Sequence, residues 1–223
     1  MPPHVPHGTV EPMNLILLLA ASGAVTGLAA QVLLARLRRG AIIHKGLCPV
    51  AVATLWSLVG WRADSGHLPW WWLPIPLVVA WFAVALTAVD LKHRRLPNVL
   101  TFAAYPATAA VTVLASTQSG WHITEGALLG AAVLGTLYLA VHVLSPRSMG
   151  AGDVKLSGSQ GAVLGAVGLP AVLVGTTLAA LLTLVLSVAA PRRHRAAWRT
   201  GIPHGPALLA ATYVIATFPA LPV

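Results

Sequence analysis

A short acidic segment between two long apolar runs reads Met149-Gly150-Ala151-Gly152-Asp153-Val154-Lys155-Leu156. Acidic side chains are scarce, since the chain of 223 residues contains only five aspartates and glutamates. A second aspartate precedes a basic loop in Ala88-Val89-Asp90-Leu91-Lys92-His93-Arg94-Arg95-Leu96-Pro97-Asn98. The apolar runs decide the fold, and Asp90 and Asp153 are the first candidates for chemistry.

The composition is typical of a membrane protein. Apolar residues make up 57% of the chain and charged residues 9%, whereas charged residues are roughly a quarter of soluble domains. The apolar runs fit the roughly 20 residues that a helix needs to cross a bilayer. They lack the alternation of polar and apolar residues that is typical of a membrane barrel. We therefore predict an all-α, polytopic membrane bundle, in which helices satisfy the backbone polar groups.

The basic residues predict the topology of this bundle. We predict eight spans, at about 14–35, 47–61, 73–89, 99–115, 123–144, the two parts of 156–190 divided at Gly168-Leu169-Pro170, and 206–221. This arrangement places all 14 lysines and arginines except Arg62 on one side, which is the cytoplasmic side by the positive-inside rule. Topology thus explains the formal charge of +9 without a nucleic-acid partner. Asp90 and Asp153 are both predicted to face the cytoplasm.

The regions outside the spans give three further predictions. Residues 1–13 are proline-rich and contain no lysine or arginine, so we predict a disordered extracytoplasmic tail before a single membrane-embedded domain over 14–223. The cluster Trp70-Trp71-Trp72 is interpreted as an interfacial belt, with a substrate-binding platform as the alternative. Small residues at Gly130-Ala131-Ala132 and over 161–165 predict close helix packing, either within one chain or between chains.

In its ordered pair of motifs the chain resembles the type IV prepilin peptidases, which are membrane aspartic proteases of the GxGD class. The motifs are an aspartate before a basic loop that closes in Leu96-Pro97-Asn98, and a later Gly-x-Gly-Asp-x-Lys-Leu. The resemblance runs from about Leu73 to Val188. It returns at Ile202-Pro203-His204-Gly205-Pro206, where the family usually has phenylalanine in place of His204.

The resemblance covers only the protease half of the family. In many prepilin peptidases the first cytoplasmic loop is long and carries paired Cys-x-x-Cys motifs of a zinc-bound, methyltransferase-associated region. The corresponding loop here is short, and Cys48 is the only cysteine of the chain. The resemblance therefore does not support an N-methyltransferase activity.

For this chain the resemblance implies an aspartic endopeptidase of the bacterial cytoplasmic (inner) membrane, with Asp90 and Asp153 as the catalytic dyad. Two close carboxyl groups tend to share one proton, so one can take a proton from water while the other donates a hydrogen bond to the scissile carbonyl. The implied substrate is a type IV prepilin or pseudopilin with a short basic leader peptide. No cofactor or metal is implied, the lipid bilayer is the second partner, and the oligomeric state stays open.

Residues beside the aspartates are predicted to form the active-site loop. They are Gly150, Gly152, Lys155, Pro97 and Asn98. The two glycines are expected to adopt dihedrals that other residues avoid and to let a substrate backbone approach. Pro97 is expected to end one helix and Asn98 to cap the next. Lys155 either lowers the pKa of the neighbouring aspartate or anchors its span at the headgroups, and anchoring is the preferred interpretation.

Other functions are compatible with a polytopic chain. A transporter or channel usually has ionisable groups near the bilayer midplane, whereas nearly every charge here lies at the end of a span. A non-catalytic pilus assembly factor would bind prepilins without cutting them. The histidines are scattered over different loops and spans, so they form no metal-binding motif.

Overall fold

The computed structural model describes residues 12–37, 40–41, 43–93, 96–146, 149–189 and 204–219. Over these residues the regular structure is helical, with eight α-helices and one 3-10 helix, Trp70–Trp72. The α-helices are α1 (Pro12–Arg36), α2 (Leu47–Asp64), α3 (Pro74–His93), α4 (Asn98–Ser119), α5 (His122–Leu144), α6 (Ala151–Val167), α7 (Leu169–Ala189) and α8 (Gly205–Thr217). The predicted all-α, polytopic helical bundle is confirmed.

The eight α-helices follow the order of the eight predicted spans. Among the described residues, five helical segments are long and apolar enough to cross a membrane: Asn14–Arg36, Trp70–His93, Asn98–Ser119, His122–Leu144 and Leu169–Ala189. The break expected in the long apolar stretch is found between α6 and α7. Gly168 occupies that break with a φ of 146°, a conformation that favours glycine.

The predicted tail lies mostly outside the described residues. Its last two positions are described, and they belong to α1, which begins at Pro12. Proline is well tolerated in the first turn of a helix, where its missing N–H would have no helical partner in any case.

Helix α6 lies inside the bundle and contacts α4, α5, α7 and α8. Its buried residues include Ser157, Ser159 and Gln160. Because neighbouring helices cover α6, it does not need the apolar side chains with which other helices face lipid. With 17 residues, α6, which was predicted as a short span, is also shorter than each of the five long apolar segments.

Glycines bring α5 and α6 into close contact. A Cβ on Gly165 would lie 2.7 Å from Gly130 Cα and 2.9 Å from Gly130 N. A Cβ on Gly161 would lie 2.8 Å from Leu134 Cβ. Side chains do not approach so closely, so hydrogen is the only substituent that fits at either glycine. The small-residue surfaces predicted around Gly130 and Gly161 therefore pack against each other within one chain.

The tryptophan cluster does not form a uniform interfacial belt. Trp70 is 74% exposed, but Trp72 is fully buried and its indole N–H donates to the Ala216 carbonyl oxygen at 2.9 Å. A buried indole needs such a partner, and this one ties the start of α3 to the end of α8. The belt prediction is therefore wrong for Trp72. Nearby, Arg62 Nε donates to the Thr217 carbonyl oxygen at 3.4 Å, which holds the same end of α8.

Candidate active site

The end of α3 and the starts of α6 and α8 meet at one place. Asp90 lies in the last turn of α3, and Asp153 lies in the first turn of α6. Gly205 is the first residue of α8. A Cβ on Gly205 would lie 3.0 Å from Asp153 Oδ1 and 3.7 Å from Asp90 Oδ2. The structure thus brings the two sequence-predicted aspartates together beside one glycine.

Burial and the neighbouring carboxyl group define the electrostatics of this pair. Asp90 is buried, with 6% of its surface exposed, and Asp153 is partly buried. Desolvation, together with the charge of Asp90, raises the pKa of Asp153 to about 7. Hydrogen bonds from the backbone of Gly150 and Gly205 oppose this rise because they stabilise the carboxylate. The pair therefore binds a proton near neutral pH, as coupled carboxyl groups do.

Asp153 lies in a helix and not in a turn. Gly150 is the N-cap of α6, and the Asp153 N–H donates to the Gly150 carbonyl oxygen at 3.0 Å. The Asp153 carboxylate in turn accepts a hydrogen bond from Gly150, so the two residues cap the helix reciprocally. Glycine is a poor helix former, so the two glycines favour the active-site loop that the sequence predicts here.

The special backbone dihedrals predicted for the two glycines are wrong. Gly150 has a φ of −70° and a ψ of 142°, a region open to every residue, and Gly152 is helical. Space explains glycine better at Gly152, where a Cβ would lie 3.3 Å from the Leu96 side chain. At Gly150 a Cβ would lie 3.4 Å from Asp153 Oδ2, which is an ordinary contact.

The other predicted loop residues join α4 to α6 beside the aspartates. Pro97 is the N-cap of α4, and Asn98 is the first helical residue, so the prediction of Asn98 as the cap is wrong. The Asn98 side chain instead accepts a hydrogen bond from Lys155 Nζ at 3.1 Å. That ammonium group also lies 5.8 Å from the centre of the Phe102 ring. Lys155 is not among the groups that shift the pKa of Asp153.

Histidines that the sequence scatters along the chain converge near this site. His204 Nε2 lies 2.8 Å from Tyr138 Oη, and His204 Nδ1 lies 2.8 Å from Thr183 Oγ1. His142 Nδ1 lies 2.8 Å from the Met149 carbonyl oxygen, directly before the acidic motif. The unusual residue at His204 was visible in the sequence. Tyr138 and Thr183 gave no signal, because each is one hydroxyl in an apolar helix.

This arrangement can perform acid–base chemistry. A close pair of carboxyl groups with one proton offers a base and an acid at the same place. Among the described residues, no cluster of three or more histidine, cysteine and acidic side chains could hold a metal ion. The fold and the site together define a polytopic helical membrane protein with an aspartate pair at one end of its bundle.

Comparison with known proteins identifies the family. The sequence model of the type IV leader peptidase family matches residues 77–188, which include both aspartates. The chain is 32% identical to a prepilin leader peptidase/N-methyltransferase of Aeromonas hydrophila over 147 residues, covering 66% of this chain and 50% of that protein. It is 31% identical to the protein of the same name from Xanthomonas campestris pv. campestris over 173 residues, covering 74% of this chain and 54% of the relative. The chain therefore belongs to the type IV leader peptidase family.

The match is partial in length. The chain spans about half the length of these curated relatives. A prepilin leader peptidase/N-methyltransferase of Neisseria gonorrhoeae is 28% identical over 181 residues, which cover 78% of this chain and 58% of that protein. No solved structure matches the chain significantly.

Proposed function

We propose that this chain is an aspartic endopeptidase of the bacterial inner membrane, and that it cleaves the leader peptide of type IV prepilins or pseudopilins. Asp90 and Asp153 are the proposed catalytic dyad, within a single peptidase domain over 14–223. The observation that carries the proposal is the position of both carboxyl groups against Gly205. The names of the relatives support the substrate class. No methyltransferase activity is proposed.

The proposed mechanism uses the proton that the dyad binds near neutral pH. The ionised carboxylate takes a proton from water, and the water oxygen attacks the scissile carbonyl carbon. The carboxylic acid donates a hydrogen bond to the carbonyl oxygen and stabilises its developing negative charge. The bond from carbon to nitrogen then breaks, and the departing amine receives a proton from the dyad. One water is consumed, and the dyad returns to its starting charge.

The position of the dyad at helix ends suits a substrate with a hydrophobic helix. The helix of the prepilin would stay in the bilayer while its leader peptide reaches Asp90 and Asp153. We propose that this end of the bundle faces the cytoplasm, because Lys92 and Lys155 lie at the same helix ends. A basic leader would be attracted by the ionised dyad, and its repulsion by more distant lysines would be screened over ~8 Å.

The deciding experiment is leader cleavage of a co-expressed prepilin, read by gel mobility in membranes that contain equal amounts of each variant. Asp90→Asn and Asp153→Asn should each lower cleavage by about 10² to 10⁴-fold, because each removes an acid–base group. Asp64→Asn is the matched control, since Asp64 is exposed at the end of α2. This variant should cleave the leader at the wild-type rate. Cleavage that survives in either dyad variant would remove that aspartate from the mechanism.

The same membranes distinguish the other functions. Prepilin that is bound by the wild-type protein but never loses its leader would indicate a non-catalytic assembly factor. Solute uptake by vesicles that persists in the Asp90→Asn and Asp153→Asn variants would indicate a transporter.

A further inference from the structure

The side chain of His204 is held on one side by α7. Thr183 Oγ1 lies 2.8 Å from His204 Nδ1, and the Thr183 hydroxyl donates to the Ala179 carbonyl oxygen at 2.8 Å. The Thr183 hydroxyl thus contacts both a carbonyl oxygen of its own helix and the ring of His204.

The other side of the ring is held by α5. Burial lowers the pKa of His204, which favours the neutral ring. In a neutral ring one nitrogen donates and the other accepts, so His204 can bond two hydroxyl groups at once. The Tyr138 hydroxyl lies 2.8 Å from His204 Nε2. His204 therefore bridges Tyr138 on α5 and Thr183 on α7.

This chain of hydrogen bonds holds the start of α8. The His204 carbonyl oxygen accepts the Leu208 N–H at 3.0 Å, which is the first helical bond of α8. The next residue, Gly205, uses its backbone N–H to donate to the Asp153 carboxylate. The first N–H groups of a helix have no partner within the helix, so the direction in which they point depends on the residue that anchors the start of the helix. In α8 this residue is His204, whose side chain contacts α5 and α7.

We propose that His204 is a positioning residue, which uses hydrogen bonds to Tyr138 on α5 and Thr183 on α7 to hold the Gly205 N–H against Asp153. A phenylalanine would fill a similar volume but could make neither hydrogen bond. The catalytic readout of this inference rests on the proposed peptidase function. The structural part of it concerns the proton affinity of Asp153 and does not depend on the substrate.

Several titratable groups surround Asp153, and the Gly205 N–H determines the sign of the expected change in its pKa. Asp90 approaches from α3, Tyr138 and His142 belong to α5, and His204 precedes α8. The N–H of the glycine after His204 stabilises the ionised form of Asp153. A looser helix start weakens that hydrogen bond, so the pKa of Asp153 should rise and the dyad should keep its proton to higher pH.

The test compares substitutions at two threonines of α7. Thr183 and Thr176 are both partly buried, and each donates to the carbonyl oxygen four residues earlier, but only Thr183 contacts His204. Thr183→Val and His204→Phe should move the alkaline limb of the cleavage profile upward by about 0.5 to 1 pH unit. They should lower kcat several-fold with KM unchanged. Thr183→Ser, which keeps the hydroxyl, and Thr176→Val should retain the wild-type profile.

An unchanged pH profile in both Thr183→Val and His204→Phe would show that His204 only fills space and would overturn the inference. A second measurement needs no substrate. The difference in Tm between the chain with Asp153→Asn and the chain with Asp153 is followed from about pH 3 to about pH 9, because the pH above which this difference is constant reports the proton affinity of Asp153 in the folded protein. A plateau that begins at higher pH in the Thr183→Val background supports the inference, and a plateau that begins at the same pH overturns it. A wild-type protein without cleavage activity would refute the proposed function, and this measurement would still decide the role of His204.

Discussion

Asp153 Oδ1 lies 3.0 Å from the point at which a Cβ on Gly205 would stand. The backbone does not require glycine there, because Gly205 is helical and is not among the glycines with a positive φ. The missing side chain instead leaves room for the two carboxyl groups and lets the Gly205 N–H reach Asp153 directly. Glycine is thus required here by the space that the two carboxyl groups need, and not by the backbone conformation of the helix.

Gly205→Ala should therefore separate activity from stability. The added methyl group would displace the Asp153 carboxyl by a few tenths of an ångström, and misplacement of a catalytic group lowers the rate by about tenfold or more. Alanine favours a helix over glycine by about 1 kcal/mol, which offsets the cost of displacing the carboxyl group. The free energy of unfolding should therefore change little. Cleavage rate and Tm are measured on the same preparations. Gly135→Ala is the control, since its Cβ would lie 3.9 Å from the nearest atom, Gly158 Cα.

The raised pKa of Asp153 predicts a pH-dependent stability. Its pKa moves from 3.8 to about 7 on folding, so the folded protein holds the proton more tightly than the unfolded chain does. Stability is therefore greatest below the lower value, falls as pH rises between the two, and is constant above about pH 7. Asp153→Asn removes this penalty and should gain roughly 4 kcal/mol over the wild type between about pH 4 and pH 8.

Thermal unfolding in detergent measures this gain. Asp64→Asn, at an exposed position, should show no such trend. A Tm difference between Asp153→Asn and wild type that stays constant across this range would contradict a raised pKa for Asp153.

Gly165→Ala should weaken the contact between α5 and α6. Its Cβ would stand 2.7 Å from Gly130 Cα, and backbone atoms cannot rotate away as a flexible side chain can. Overpacking of this kind typically costs about 1 to 3 kcal/mol of stability. The expected result is a clear fall in Tm, with Gly135→Ala close to wild type as the matched substitution on α5. Equal Tm values for the two variants would show that α5 and α6 can move apart to accommodate the methyl group without a loss of stability.

Lys155→Gln distinguishes the two roles predicted for this lysine. Because Lys155 Nζ donates to Asn98 and does not shift the pKa of Asp153, the alkaline limb of the cleavage profile should stay in place. The lost hydrogen bond at this partly exposed position should cost about 1 kcal/mol or less. An alkaline limb that moves to higher pH would show that the ammonium group stabilises the Asp153 carboxylate after all.

The sequence predicted the helical spans well because hydropathy reports transfer into an apolar environment. The break at Gly168 and the order of the helices follow from this property. Hydropathy does not distinguish lipid from protein interior, since both are apolar. For that reason the burial of Trp72 and the central place of α6 could not be predicted.

In the candidate site, too, some residues could be predicted from the sequence and others only from the packing of the helices. Asp90 and Asp153 could be selected because acids are scarce in this chain, and the structure places them together. The supporting groups could not be selected in this way. Tyr138 and Thr183 resemble any other hydroxyl residue of an apolar helix, and only the packing of α5, α7 and the start of α8 brings them to His204.

Helix α8 contributes Gly205, and this has a consequence for biogenesis. Asp90 and Asp153 both precede α8 in the chain, so they are synthesised before Gly205. Without α8, Asp153 lacks the backbone hydrogen bond of Gly205. The proposed dyad is therefore completed only after α8 has been synthesised and has packed against α3 and α6.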